Sequence, residues 1–295
     1  MKVDDIIAFY TSQAAVQDIC QQAESEQNAQ ISVHGLIGSS QAIIGTVVGN
    51  ITNRCQLFLF SDKENAAYHY NDLESLTNAK RALFFPASYK RPYQVESYTN
   101  ANVQSRINAM NAVQKNSHNK LLTSFAEAIS EKVVSRQKFR KHSYVIKKGQ
   151  EIDLDDFIEK MHEFDFERTD FVTDAGQFSI RGGIFDIFSF GSTVPHRIEF
   201  DDETIDSIRP FDVSDQLTTG KLDRLEIFPS FTNEVEDTAY QHFLDFLPED
   251  CIIWITDLDL ICKKINDELN LAIKAYEELN DTIEHLRPST LYLSE

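Results

Sequence analysis

Four short runs constrain this chain more than any other feature. Leu57-Phe-Leu-Phe60, Ala82-Leu-Phe-Phe85 and Cys251-Ile-Ile-Trp-Ile255 hold no charge and do not alternate, and Lys120-Leu-Leu-Thr-Ser124 is similar. An apolar run without alternation is a strand covered on both faces, and such strands separated by helical segments build a parallel sheet with helices on either side. Helical spacing is present over residues 1–28 (Ile6, Ile7, Tyr10, Ala14, Val16, Ile19), 42–53 and about 100–115. Ser61-Asp62 signals the start of another helix. Ile31-Ser-Val33 reads as a strand entering a glycine-containing loop. The pattern predicts a doubly wound α/β domain over residues 1–128. Residues 213–295 return to it, with strand 251–255 completing its sheet and Asp257 capping a helix over 258–284.

Between these parts the hydrophobic period changes to two. Phe178–Arg181, Ile184–Phe188, Arg197–Phe200 and Ile205–Ile208 are short alternating runs joined by turn residues, which is an antiparallel meander. A helix at 152–164 precedes it, with Leu154, Phe157, Ile158 and Met161 on one side. An inserted α+β domain with an antiparallel sheet is therefore expected over 129–212. Gly182 and Gly183 are expected to bend or bulge a strand, and Phe178, Ile180, Phe185 and Phe188 to pack its core, with Phe185, close to Arg181, the expected exception.

Composition narrows the function. The net charge of −19 repels phosphate backbones, so simple DNA binding by this chain is disfavoured. No apolar run is long enough to span a membrane, and the start Met-Lys-Val-Asp-Asp is no signal peptide, so a cytoplasmic location is expected. Cys20, Cys55, Cys251 and Cys262 form no C-x-x-C pair and read as free thiols rather than zinc ligands or disulfides. The one basic stretch, Lys132 to Lys148, reads as a solvated connector or, failing that, a patch for an acidic partner.

Gly35-Leu-Ile-Gly38-Ser-Ser40-Gln41-Ala42 stands where a phosphate-binding P-loop would stand. A working loop needs lysine to neutralise phosphate and a hydroxyl to bind magnesium. Gln41 and Ala42 occupy those two places, and Ser40 replaces the second glycine. Asp201-Asp-Glu203 lies in a polar turn, the wrong setting for a magnesium carboxylate. Neither a nucleotide cofactor nor a metal is expected. A hydrolase using Asp153–Asp156 or Asp201–Glu203 as metal ligands is the competing reading, and helix ends and turns account for those acids.

The segment Phe166-Glu-Arg168-Thr-Asp170-Phe-Val172, followed by Gly176-Gln-Phe178-Ser-Ile-Arg181-Gly-Gly183-Ile-Phe-Asp186-Ile-Phe188, resembles the signature of domain 2 in UvrB and in bacterial transcription-repair coupling factors (the Mfd family). The stretches Pro195–Asp212 and Leu225–Pro229 continue the match. Ser189 replaces the family's proline. UvrB carries an intact P-loop and a long hairpin insertion, whereas here only about 35 residues follow Pro86 before the next strand. The resemblance is thus to the N-terminal UvrB-like module of the coupling factors. It implies a degenerate RecA-like lobe (domains 1A and 1B) with domain 2 inserted, and no catalysis in this piece. It also implies binding of UvrA through Arg168, Arg181 and Phe185. A further UvrB arginine is replaced by Ser179. The resemblance further implies a longer parent that translocates on DNA with ATP, engages RNA polymerase, and can mask the UvrA site with its own C-terminal domain.

Overall fold

The computed structural model describes residues 2–25, 29–78, 81–88, 93, 100–231, 240–279 and 286–293. The chain is mixed α/β, with a parallel sheet and separate antiparallel sheets. Its contacts divide it into two units: residues 1–87, 112–133 and 241–295, and residues 88–111 and 134–240.

The first unit holds a four-stranded parallel sheet in the order Ile252–Ile255, Gln56–Phe60, Leu121–Phe125, Ala82–Phe84. The strand from the C-terminal part of the chain does complete the sheet. Gln56 explains how a polar residue survives in a fully buried strand. Its Nε2 donates to the Gly45 carbonyl at 2.8 Å and its Oε1 accepts from Trp254 Nε1 at 2.7 Å. One amide thus joins the Ser40–Thr52 helix to two strands, with both its ends satisfied. Gly45 lets that helix approach, since a Cβ there would lie 2.3 Å from Phe58 Cζ. Helix Lys63–Thr77, capped by Asp62 accepting from the Asn65 amide at 2.9 Å, places His69 against the rings of Phe58 and Phe60.

Three sequence expectations are revised here. Residues 31–33 form no strand: the run is too short and too exposed to be covered on both faces. The expected helix over 1–28 is two helices, Val3–Thr11 and Ala14–Ser25, with residues 1 and 26–28 of that expectation outside the described residues. The Thr11 and Ser12 hydroxyls donate to the Ile7 and Phe9 carbonyls at 2.8 Å each, competing with helix continuation. Helix Leu258–Glu277 is shorter than expected, and residues 280–284 of that expectation lie outside the described residues.

In the second unit five strands run in the order Thr204–Pro210, His196–Asp201, Ile184–Phe188, Gln177–Arg181, Glu167–Arg168. All neighbours are antiparallel except the last pair. Helix Leu154–Glu163, capped by Asp153 accepting from the Asp155 and Asp156 amides, covers one face. Its Phe157 meets Phe185 with centroids 4.6 Å apart, and Phe178 stacks on Phe185 at 5.3 Å. Gly182 and Gly183 form no bulge. Arg181 pairs with Ile184, so they are a two-residue hairpin turn, and Gly182 takes the positive φ (59°) that such turns require. Strand Arg224–Ile227, beyond the expected break at 212, pairs with Tyr144–Lys147 in this same unit. Ser189, the family's proline position, holds that connection by accepting from the Phe228 amide at 2.9 Å.

Two outcomes follow for stability. Gly45→Val should destabilise the chain by about 1–3 kcal/mol through overpacking against Phe58, read as a lower urea midpoint; an unchanged midpoint would refute the close approach. Burial holds the imidazoles of His69 and His196 neutral, each lowered from 6.5 to about 4. As pH falls the unfolded chain takes up these protons first. Their contribution is therefore whole above pH 6.5 and lost on the way down to about pH 4. Roughly 2 kcal/mol per histidine should disappear between pH 7 and pH 5, and His69→Gln should flatten the pH dependence of the urea midpoint.

Candidate functional site

Alternation along the central strand Ile184–Phe188 sends Phe185 and Ile187 toward helix Leu154–Glu163 and Asp186 to the other face. Register then sets Ser179 opposite Asp186 on one neighbour and Arg197 opposite it on the other. Arg181 shares Ser179's face two residues along and reaches Asp186 diagonally, with Nη2 to Oδ2 at 2.6 Å. Arg197 grips the same carboxylate twice, Nε to Oδ1 at 2.8 Å and Nη2 to Oδ2 at 2.9 Å. Asp186 has no exposed surface. A buried carboxylate is tolerable only when charged donors surround it, and two guanidinium forks do so here.

A second network extends the first. Glu199 accepts from the Ser207 hydroxyl at 2.8 Å and pairs with Arg209, whose Nε also donates to Ser207 at 3.2 Å. The Ser207 hydrogen bond, with Arg209 beside it, holds the Glu199 carboxyl below the usual carboxylate range. The Asp186 hydrogen bond holds Arg197 above its ordinary value. Arg197 also lies over the buried Phe211 ring, 4.9 Å from its centroid. Arg181 differs, because 40% of its side chain stays exposed. Its guanidinium lies 5.0 Å from the centroid of Phe171, a ring 61% exposed to solvent. The face therefore offers an anchored, accessible cation beside an accessible aromatic ring.

The residues singled out in sequence do not all meet. Arg168 pairs in register with Phe178, so it belongs to the opposite face from Arg181, exposed on the edge strand and without an ion pair among the described residues. Phe185 is corrected: it has no exposed surface and sits in the aromatic core, because alternation points it away from Arg181. Ser179 is buried, its hydroxyl without a hydrogen-bond partner among the described residues. In the sequence Asp186 stood out only as part of the signature, and Arg197 and Phe171 were not singled out. Strand register was the signal for the first two; nothing in the sequence marked Phe171. In the basic stretch, Lys147 and Lys148 line an open concavity with Arg224.

The glycine loop turns on Gly35 and Gly38, both at positive φ. Ser40 Oγ accepts from the Ile37 amide at 2.7 Å, so that amide is already used, and Ala42 is fully buried. Asp153 caps a helix and Asp202 lies in a hairpin turn at positive φ. Among the described residues no group of three or more His, Cys, Asp or Glu side chains is placed to hold a metal, and no helix is long and apolar enough to cross a membrane.

Residues 145–232, which contain every member of the arginine–carboxylate face, match the UvrB interaction domain family. The chain is also similar to transcription-repair-coupling factors. That of Bacillus subtilis is 28% identical over 66% of this chain and 17% of its own length. Those of Staphylococcus epidermidis and Escherichia coli are 38% and 31% identical, each over 35% of this chain and 9% of their own length. The chain is thus similar to the transcription-repair-coupling factors, and within it residues 145–232 match a UvrB interaction domain. The matched stretch spans less than a fifth of those relatives' length.

Within the matched region Asp186 is the hub, and removing it leaves two guanidinium groups facing one another. Asp186→Ala should cost about 3–5 kcal/mol, measured as a fall in unfolding free energy. A change below about 1 kcal/mol, the range of exposed ion pairs, would show that the cluster is not structural.

Proposed function

We propose that residues 134–240 act as a docking platform for UvrA, coupling nucleotide excision repair to stalled transcription, and that the chain itself performs no catalysis. The observation that carries this reading is the outer sheet face on which Asp186 fixes Arg181 beside exposed Phe171. A guanidinium already held by a buried carboxylate loses little freedom on binding, and its remaining donors suit a carboxylate of the partner. Arginine and aromatic residues are also the types that dominate interface energetics. Arg168, on the other face at the sheet edge, belongs to the platform as a separate contact.

The remainder follows from the same kinship. The parallel-sheet unit corresponds to domains 1A and 1B, a degenerate RecA-like lobe. Its glycine loop binds no nucleotide, since Gln41 and Ala42 supply neither charge nor hydroxyl. A UvrB-like nucleotide hydrolase would require the loop to bind ATP, which a titration with a fluorescent analogue checks. Translocation on DNA, contact with RNA polymerase and masking of the platform by a C-terminal domain belong to a full-length parent.

Calorimetry of this chain with purified UvrA tests the proposal. Arg181→Glu and Phe171→Ala should each weaken binding by roughly 30- to 1000-fold, the equivalent of about 2–4 kcal/mol, with far-UV circular dichroism unchanged. Equal binding by wild type and both variants would move the contact to Arg168 or to the Lys132–Lys148 stretch. Absence of binding by wild type would sink the adaptor reading.

A further inference from the structure

The parallel sheet of the first unit ends on one side at Ile252–Ile255. Ile252 stands opposite Gln56 and donates its amide to the Cys55 carbonyl at 2.9 Å. In a parallel ladder alternate residues serve the same neighbour, so Ile252 and Trp254 turn their backbone groups toward Gln56–Phe60. The amides and carbonyls of Ile253 and Ile255 project the other way. Among the described residues neither makes a backbone hydrogen bond on that side. The side chains divide in the same manner. Ile252 and Trp254 pack on the cluster of Val16, Cys20, Ile44, Val47 and Val48, while Ile253 and Ile255 are each 44% exposed.

Such an edge is a template for another strand, and proteins ordinarily blunt it with lysine, proline or a bulge. None of these interrupts Ile252–Ile255. What surrounds the strand is acid: Glu249 and Asp250 before it, Asp257 and Asp259 after it, all exposed. At the strand's start Arg54 lies 3.9 Å from Asp250. A second copy of this chain would bring the same four acids against these, so the charge pattern disfavours self-pairing. It favours an incoming strand with positive ends.

We propose that the Ile252–Ile255 edge accepts an extended segment of a partner protein as a fifth strand, a segment with alternating apolar side chains flanked by lysine or arginine. Backbone hydrogen bonds to Ile253 and Ile255 supply affinity, their side chains select apolar residues, and the four acids select the basic ends. This surface lies in the first unit and does not depend on the UvrA reading.

The test uses the 295-residue chain and a fluorescein-labelled peptide, Lys-Lys-Val-Thr-Val-Thr-Val-Lys-Lys, followed by anisotropy. Saturable binding is expected, weakened at least tenfold by Ile253→Lys and abolished when alternate peptide amides are N-methylated. Hydrogen exchange should slow at the Ile253 and Ile255 amides in the complex. The methylated peptide keeps the test decisive even if Ile253→Lys misfolds. No binding at about 1 mM peptide, the weak end of measurable affinity, overturns the proposal. So does binding that survives N-methylation, or protection that appears elsewhere. Sedimentation showing that the chain self-associates through this edge also overturns it, in favour of a second copy as occupant.

Discussion

A carboxylate with no exposure to water organises the second unit. Withdrawing Asp186 from solvent costs several kcal/mol unless opposite charges meet it with good geometry, and that requirement fixes its surroundings. Arg197 must lie directly across on one strand, Arg181 diagonally on the other, and the hairpin between Arg181 and Ile184 must be tight enough to keep the register. The two-glycine turn provides that tightness. A slip of one residue would send Asp186 into the aromatic core of Phe157, Phe178 and Phe185, and those rings out into water. Core packing and the charged face therefore enforce one another across the same strand.

The two arginines that meet this carboxylate have different fates. Arg197 is enclosed, lying over buried Phe211 with two hydrogen bonds to Asp186. Arg181 makes one, at 2.6 Å, and keeps much of its surface open beside Phe171. One cation serves the fold and the other is presented by it. Such division lets a charged surface be rigid before anything binds.

The first unit solves a comparable problem with uncharged groups. Gln56 is buried in a strand without cost because Gly45 and Trp254 use both ends of its amide. The nearness of helix Ser40–Thr52 that makes this possible depends on a missing side chain at Gly45. The sheet is finished by a strand nearly two hundred residues away in sequence, at an edge to which no further strand pairs among the described residues.

The sequence by itself determined the kinds of element and their order. Uninterrupted apolar runs marked the parallel strands, alternation marked the meander, and the residue pattern from Phe166 to Asp212 carried the kinship, since hydrophobic period and turn chemistry are local properties. It overestimated Ile31–Val33 and missed the break at Thr11–Ser12, where coverage and side-chain competition outweigh periodicity. Only the tertiary structure decided which candidate residues stand together. Register placed Arg181 with Asp186 and Arg197, set Arg168 on the opposite face and buried Phe185, and the path of a loop brought Phe171 over Arg181. Those are relations between strands, and no single strand's sequence contains them.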